Sequence, residues 1–211
     1  MQESIRLQFS KKDTLKFIGH LDLQRIFNQT IRRAGLPAAY SQGFNPHILL
    51  SFALPLPLGM ESENDYADLV LAAPLPMEEI EQRLNAAAPK GLKIKKAYKA
   101  EGKRSAATTI AADYIFKKRM PLEKITAILE KETIIAAKKT KSGIKKTDVK
   151  CDIIDIWQEE NNVILRLAAG SSGFLNPLIV AELLLEAEAS NTMLCRKELY
   201  QSNGLGGLSN L

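Results

Sequence analysis

The chain opens with a short alternation: Ile5, Leu7 and Phe9 are apolar, and Arg6 and Gln8 between them are polar. A period of two predicts a half-buried strand over 5–9. The period then changes. Leu23, Ile26, Phe27, Ile31 and Ala34 recur at helical spacing, with Asp22, Arg25, Gln29, Arg32 and Arg33 opposite them. This predicts an amphipathic helix over 20–34, stopped by Gly35 and by Pro37 two residues later. ILLSFALPL is apolar and extended, and Pro55 and Pro57 place it at a sheet edge or strand end. LGMESEND reads as a loop and YADLVLA as a strand. Met77, Ile80 and Leu84 mark a second helix over 76–87, with Pro76 in its first turn. LKIKKAY returns as a strand with lysines along one side. The resulting order, β-α-β-β-α-β, is the ferredoxin-like pattern of an antiparallel sheet with two helices on one face.

The remainder repeats the plan more loosely. After a small, polar and charged junction at 100–106, the pattern predicts a strand over 109–117 and a helix over 121–131. Strands are expected over 132–140 and 147–158, separated by a KSGIKK turn. VILRLAA is their hairpin partner after an Asn-Asn turn, and a helix follows over 177–187. The expected fold is therefore α+β, with two ferredoxin-like lobes at 1–100 and 108–200. A Gly- and Ser-rich tail at 201–211 is expected to be mobile.

Charge adds a partner to this picture. The net charge is only +5, yet residues 90–150 hold 18 basic against 6 acidic side chains. Such a block suggests an anionic partner, nucleic acid first, although a solvated lysine face has the same composition. Its densest part is KKTKSGIKKTDVK, with Lys138, Lys139, Lys141, Lys145 and Lys146 around a turn. The start of the chain lacks an apolar leader, and no run reaches the roughly 18–20 apolar residues of a membrane span. Two cysteines form neither a disulfide framework nor a metal knuckle. A cytoplasmic chain with no membrane contact and no cofactor is the simplest expectation.

Candidate chemistry gathers between Gly19 and His47. His20 opens the first helix with Asp22 two residues on. It suits a general acid–base or a phosphate ligand, and equally a helix-start cap. His47 follows Asn45-Pro46 in a loop that Gly43 makes flexible. If the two histidines meet, they supply the acid and base for metal-independent RNA cleavage. Arg25, Arg32 and Arg33 can clamp phosphates. They can also serve the helix itself, Arg25 by pairing with Asp22 and the other two by facing the C-terminal dipole. Tyr40 and Phe44 can stack on bases, with Asn45 beside them, although Phe44 also suits a core anchor. Glu61, Glu63, Asp65 and Asp68 form an acidic cluster whose spacing matches no metal loop, and GSSG at 170–173 lacks the ending of a phosphate loop.

HLDL (His20–Leu23), RRAGLP (Arg32–Pro37), S-x-GFNPH (Ser41–His47) and LPLGMESE (Leu56–Glu63) together resemble the radical-SAM-linked domain of unknown function. The resemblance is specific over about Arg6 to Tyr66 and looser beyond. Two positions depart from that family's pattern: Gly19 replaces a serine, and Asn28 or Gln29 an arginine. The resemblance implies work alongside radical SAM modules in RNA modification. Radical SAM chemistry needs an iron–sulfur cluster on cysteine ligands. Cys151 and Cys195 do not make the usual three-cysteine motif, so that chemistry belongs to a separate protein. The expected function is a non-catalytic RNA- or ribonucleoprotein-binding accessory to a radical SAM enzyme. The alternatives are an RNA endonuclease using His20, His47 or both, and a protein-docking domain.

Overall fold

The structure, a computed structural model, describes residues 2–100, 108–140, 143–170, 173–185, 194–202 and 208–211. In the first half, β1 (Glu3–Lys11) leads through a short 3-10 turn (Asp13–Phe17) into α1 (His20–Arg33). Then come β2 (Leu50–Phe52), β3 (Glu61–Leu71), α2 (Met77–Ala87) and β4 (Leu92–Lys99). The second half runs β5 (Thr109–Phe116), α3 (Leu122–Leu129), β6 (Ile135–Thr140) and β7 (Gly143–Asp148). It continues with β8 (Ile153–Glu159), β9 (Asn162–Ala168), α4 (Pro177–Leu185), β10 (Leu194–Ser202) and β11 (Leu208–Asn210).

Nine of these strands form one mixed sheet, ordered β4-β1-β3-β10-β5-β9-β8, with β2 added to β3 and β11 to β10. β6 and β7 pair only with each other. Each half contributes four strands in the same sense, β4-β1-β3-β2 and β10-β5-β9-β8. The long β3 serves both. Glu61 and Ser62 at its start run parallel to Cys195 and Arg196 of β10, whereas Ala67–Leu69 near its end pair with β2.

The helices bury the faces their spacing assigns. Leu23, Phe27 and Ile31 of α1, with Ile80 and Leu84 of α2, close over Ile5, Leu7 and Phe9 of β1. Phe27 meets Phe9 and Phe52 edge-on at centroid distances of 4.8 and 5.1 Å, a favourable aromatic geometry. A second core sets α3 and α4 against β5, β8, β9 and β10, and it takes in Leu54, Leu56 and Met60 from the first half. Gly35 ends α1 at φ 61, as the sequence pattern expects.

Three segments differ from the sequence expectation. ESEND lies in β3 rather than in a loop. Its polar residues are satisfied at a distance: both oxygens of buried Asp65 accept from Arg196 Nη2, at 2.6 and 2.7 Å, across 131 positions of sequence. Arg196 is fully buried and also donates to the Leu54 and Pro55 carbonyls. Buried Lys11 lies beside the pair, donating to the Ile18 carbonyl at 3.2 Å; burial lowers its pKa, and Asp65 opposes that shift. KSGIKK contributes most of β7 rather than a simple turn. Gly143 takes φ 125 at the start of β7, and β7 pairs with β6 along its whole length. Finally, Leu208–Asn210 of the expected tail pairs with Ser202–Tyr200, and Leu211 is buried.

Removing one partner of a buried pair strands the other charge. Arg196→Met is expected to cost about 3–5 kcal/mol, read as a lower urea midpoint, with Asp65→Leu in the same chain recovering much of it. An unchanged midpoint in the single variant would contradict this role.

Candidate nucleic-acid interface

His20 and His47 occupy opposite faces of the same sheet edge. His20 starts α1 and meets the Phe52 ring edge-on at 5.4 Å, on the helix-covered face. Asp22 does not reach it as a partner; Asp22 instead accepts from Arg25 Nη1 at 2.9 Å, on the exposed side of the first turn. His47 lines a small pocket of about 90 Å³ with Ser4, Ser51, Asp68 and Val70. Ser51 and Phe52 are consecutive strand residues, so their side chains leave opposite faces. The structure therefore does not bring the two histidines together as an acid–base pair.

The GFNPH loop is closed at its neck. Ser41 N–H donates to the His47 carbonyl at 2.8 Å, His47 N–H donates to Ser41 Oγ at 3.1 Å, and Ser41 Oγ is 2.8 Å from His47 Nδ1. Gly43 takes φ 120 inside this loop, a backbone shape that β-carbon-bearing residues resist. Phe44 is fully exposed at the tip, with Asn45 exposed beside it, so Phe44 is no core anchor. Tyr40, 42% exposed, bridges Ile48 at the base. Arg32 and Arg33 are exposed in the last turn of α1, where they also complement the helix dipole.

The lysines lie on a separate two-stranded ribbon. In its register Lys138 stands directly across from Lys145, Lys139 from Ile144, and Ala137 from Lys146. Alternation places the consecutive Lys145 and Lys146 on opposite faces of the ribbon. Lys145 and Lys146 are exposed; Lys141 lies outside the described residues. The ribbon is anchored at its base, where Asp148 accepts from Ile134 N–H and Lys150 N–H, at 2.9 and 3.0 Å. Those two bonds hold the Asp148 carboxyl below its usual range.

The acidic residues do not assemble a metal centre. Asp65 is taken by Arg196 and Asp68 by Arg6 at 2.8 Å, and the described residues contain no group of three His, Cys, Asp or Glu suited to a metal ion. Burial pushes the Cys195 thiol up to about 11, which keeps it protonated and unreactive near neutral pH, and Cys151 is exposed.

Sequence reasoning missed one arginine-centred cluster. Arg166 of β9 makes two bonds to buried Asp113, at 2.7 and 2.8 Å. Its guanidinium carbon lies 5.0 Å from the Trp157 ring centroid and 4.6 Å from that of Tyr200. The four residues come from four different strands, so only the sheet register reveals them. Exposed Phe17, Leu21 and Leu58 were missed as well. Gly59 N–H donates to the Lys16 carbonyl at 2.8 Å, which holds the Leu58 loop beside the Phe17 turn.

Ser41→Ala removes both side-chain bonds at the loop neck. It is expected to speed amide exchange across residues 42–47 while lowering global stability by only about 1 kcal/mol, measured by hydrogen exchange and urea unfolding.

No helix among the described residues is long and apolar enough to cross a membrane. No curated protein matches the chain. Among solved structures, the crystal structure of an unknown protein from Galdieria sulphuraria aligns over 96% of this chain and 99% of its own, at 15% identity and a TM-score of 0.31. Residues 4–177, which span all four motifs and the whole first core, match the family described as uncharacterized protein conserved in bacteria (DUF2344), and the chain belongs to that family.

Proposed function

We propose that this chain is a non-catalytic module that binds RNA or a ribonucleoprotein in the cytoplasm and serves a separate radical SAM enzyme. The strand order β4-β1-β3-β2 and its counterpart β10-β5-β9-β8 support reading the halves as two ferredoxin-like lobes, the second carrying β6–β7 as an insertion. The dependence on a separate enzyme follows from the cysteine count and from the family resemblance.

The observation that carries the RNA reading is the β6–β7 ribbon. Lys145 and Lys146 are consecutive, exposed residues of β7, so the ribbon offers an ammonium group on each of its faces. A phosphate backbone laid along the ribbon meets these charges. Six-residue strands give a ribbon on the order of 20 Å long, enough to follow several phosphates. Phe44, exposed on a pinned loop, supplies an aromatic face on which an unpaired base can stack.

The test is binding of a fluorescent single-stranded RNA as salt is varied. Lys145→Glu with Lys146→Glu is expected to weaken binding and to lower the log–log salt slope by roughly 1.4, two phosphate contacts' worth. No binding by the unaltered protein at about 50 mM salt would overturn the reading, since such contacts are strongest there.

A protein-docking reading rests on the exposed Phe17, Leu21 and Leu58. It predicts that Leu21→Asp abolishes capture of a protein partner in nuclease-treated extract and leaves RNA binding intact. Paired-histidine RNA cleavage is the catalytic alternative, and its two residues are held on opposite faces. Lack of RNA cleavage by the unaltered protein in EDTA excludes it.

A further inference from the structure

A cleft of about 500 Å³ opens where β1 ends beside the start of β4, lined by Ser10, Lys12, Asp13, Glu63, Lys93 and Lys95 together with Gly91 and Leu92. We propose that it binds a phosphorylated sugar, such as a ribonucleotide unit. The site is separate from the β6–β7 ribbon, and the inference does not rest on the RNA reading.

The backbone fixes the cleft before any ligand arrives. Ser10 and Lys93 are direct cross-strand partners, so both side chains leave the same face of the ladder. Lys12 N–H donates to the Gly91 carbonyl at 2.8 Å. Gly91 sits at φ 91, and a β-carbon there would lie 2.5 Å from the Lys12 carbonyl oxygen, so only glycine permits this approach. The approach sets the Lys12 and Lys93 side chains on one short stretch of surface.

The donors are placed for an anion. Lys95 Nζ is held by Asn64 Oδ1 at 2.6 Å and by the Glu63 carbonyl at 3.3 Å, neutral acceptors that orient the ammonium without cancelling its charge. Among the described residues, no ion pair joins Lys12 or Lys93 to a carboxylate. Three ammonium groups and the Ser10 hydroxyl thus supply donors to phosphate oxygens. Asp13 and Glu63 complete the lining, and carboxylates accept from hydroxyls. A bare inorganic anion uses only the lysines and the Ser10 hydroxyl; a sugar phosphate uses the carboxylates as well. The volume lies within the range of small-molecule clefts.

Lysines on an outer strand also discourage edge-to-edge pairing of sheets, and β4 is such a strand. That role needs neither the Gly91 approach nor the acidic rim, and the test separates the two. Backbone amide shifts are followed while ribose 5-phosphate, ribose and inorganic phosphate are added to the full chain. The expected result is saturable movement of the Ser10, Gly91 and Lys93 amides with ribose 5-phosphate, at least tenfold weaker with either fragment. Lys12→Gln with Lys93→Gln should weaken binding at least tenfold, whereas Lys145→Glu with Lys146→Glu should leave it unchanged. Repeating the titration with a nucleoside monophosphate and with a 5′-phosphorylated oligoribonucleotide identifies the source, free nucleotide or RNA end. Absence of amide movement with ribose 5-phosphate overturns the proposal. Equal response to inorganic phosphate overturns the sugar assignment, and Lys12/Lys93 variants that aggregate yet bind as before support the edge role instead.

Discussion

Arg196 and Asp65 hold the two halves of the sheet in register. The guanidinium reaches a carboxylate that sits on a different strand, in a different half, and both groups are removed from water. An arginine cannot escape burial by losing its proton, so the pair exists only if the carboxylate and the carbonyls of Leu54 and Pro55 are in place. That requirement ties β3, β10 and the LPLPLG segment to one another. The parallel contact between β3 and β10 is only two residues long, and two ladder positions alone would specify the junction weakly. The ion pair adds a directional requirement that a slipped register would leave unmet.

This arrangement also gives the LPLGMESE motif a physical reason. Leu56 and Met60 pack into the second core, Ser62 and Asp65 face the buried cations, and Gly59, at φ 83, lets the chain turn back towards Lys16. The motif is thus a clasp between halves. The GFNPH motif has a different reason: it closes a loop on itself and leaves its aromatic residue outside. Motifs of similar sequence specificity therefore do opposite work, one burying polar groups and the other exposing an apolar one.

Local pattern carried much of the fold. α1 and α2 were legible because Leu23, Phe27, Ile31, Ile80 and Leu84 obey the helical period, and β1 because Ile5, Leu7 and Phe9 obey the strand period. β3 was legible only from Tyr66 onward, since ESEND is made a strand by ladders with distant β1 and β10 and its buried Asp65 is satisfied from Arg196, 131 residues away. β7 was hidden for another reason: GIKKTD has a single large apolar residue and no hydrophobic alternation to detect. Among the site residues, the exposed arginines and lysines could be read from sequence, but the separation of His20 from His47 could not. Whether two residues near one strand share a face depends on each one's parity in the sheet. The Arg166 cluster and the Ser10–Lys93 cleft are likewise products of cross-strand register.

The β6–β7 pair stands outside the nine-stranded sheet, reached from β5 through α3 and leading to β8 through a short 3-10 turn at Lys150–Asp152. Among its described side chains, Ala136 at the base is the one that joins a core. Substitutions at its exposed Lys145 and Lys146 therefore bear hardly at all on folding. Natural selection can retune, lengthen or recharge this appendage while the nine-stranded scaffold stays the same, so its surface varies without the fold having to be solved again.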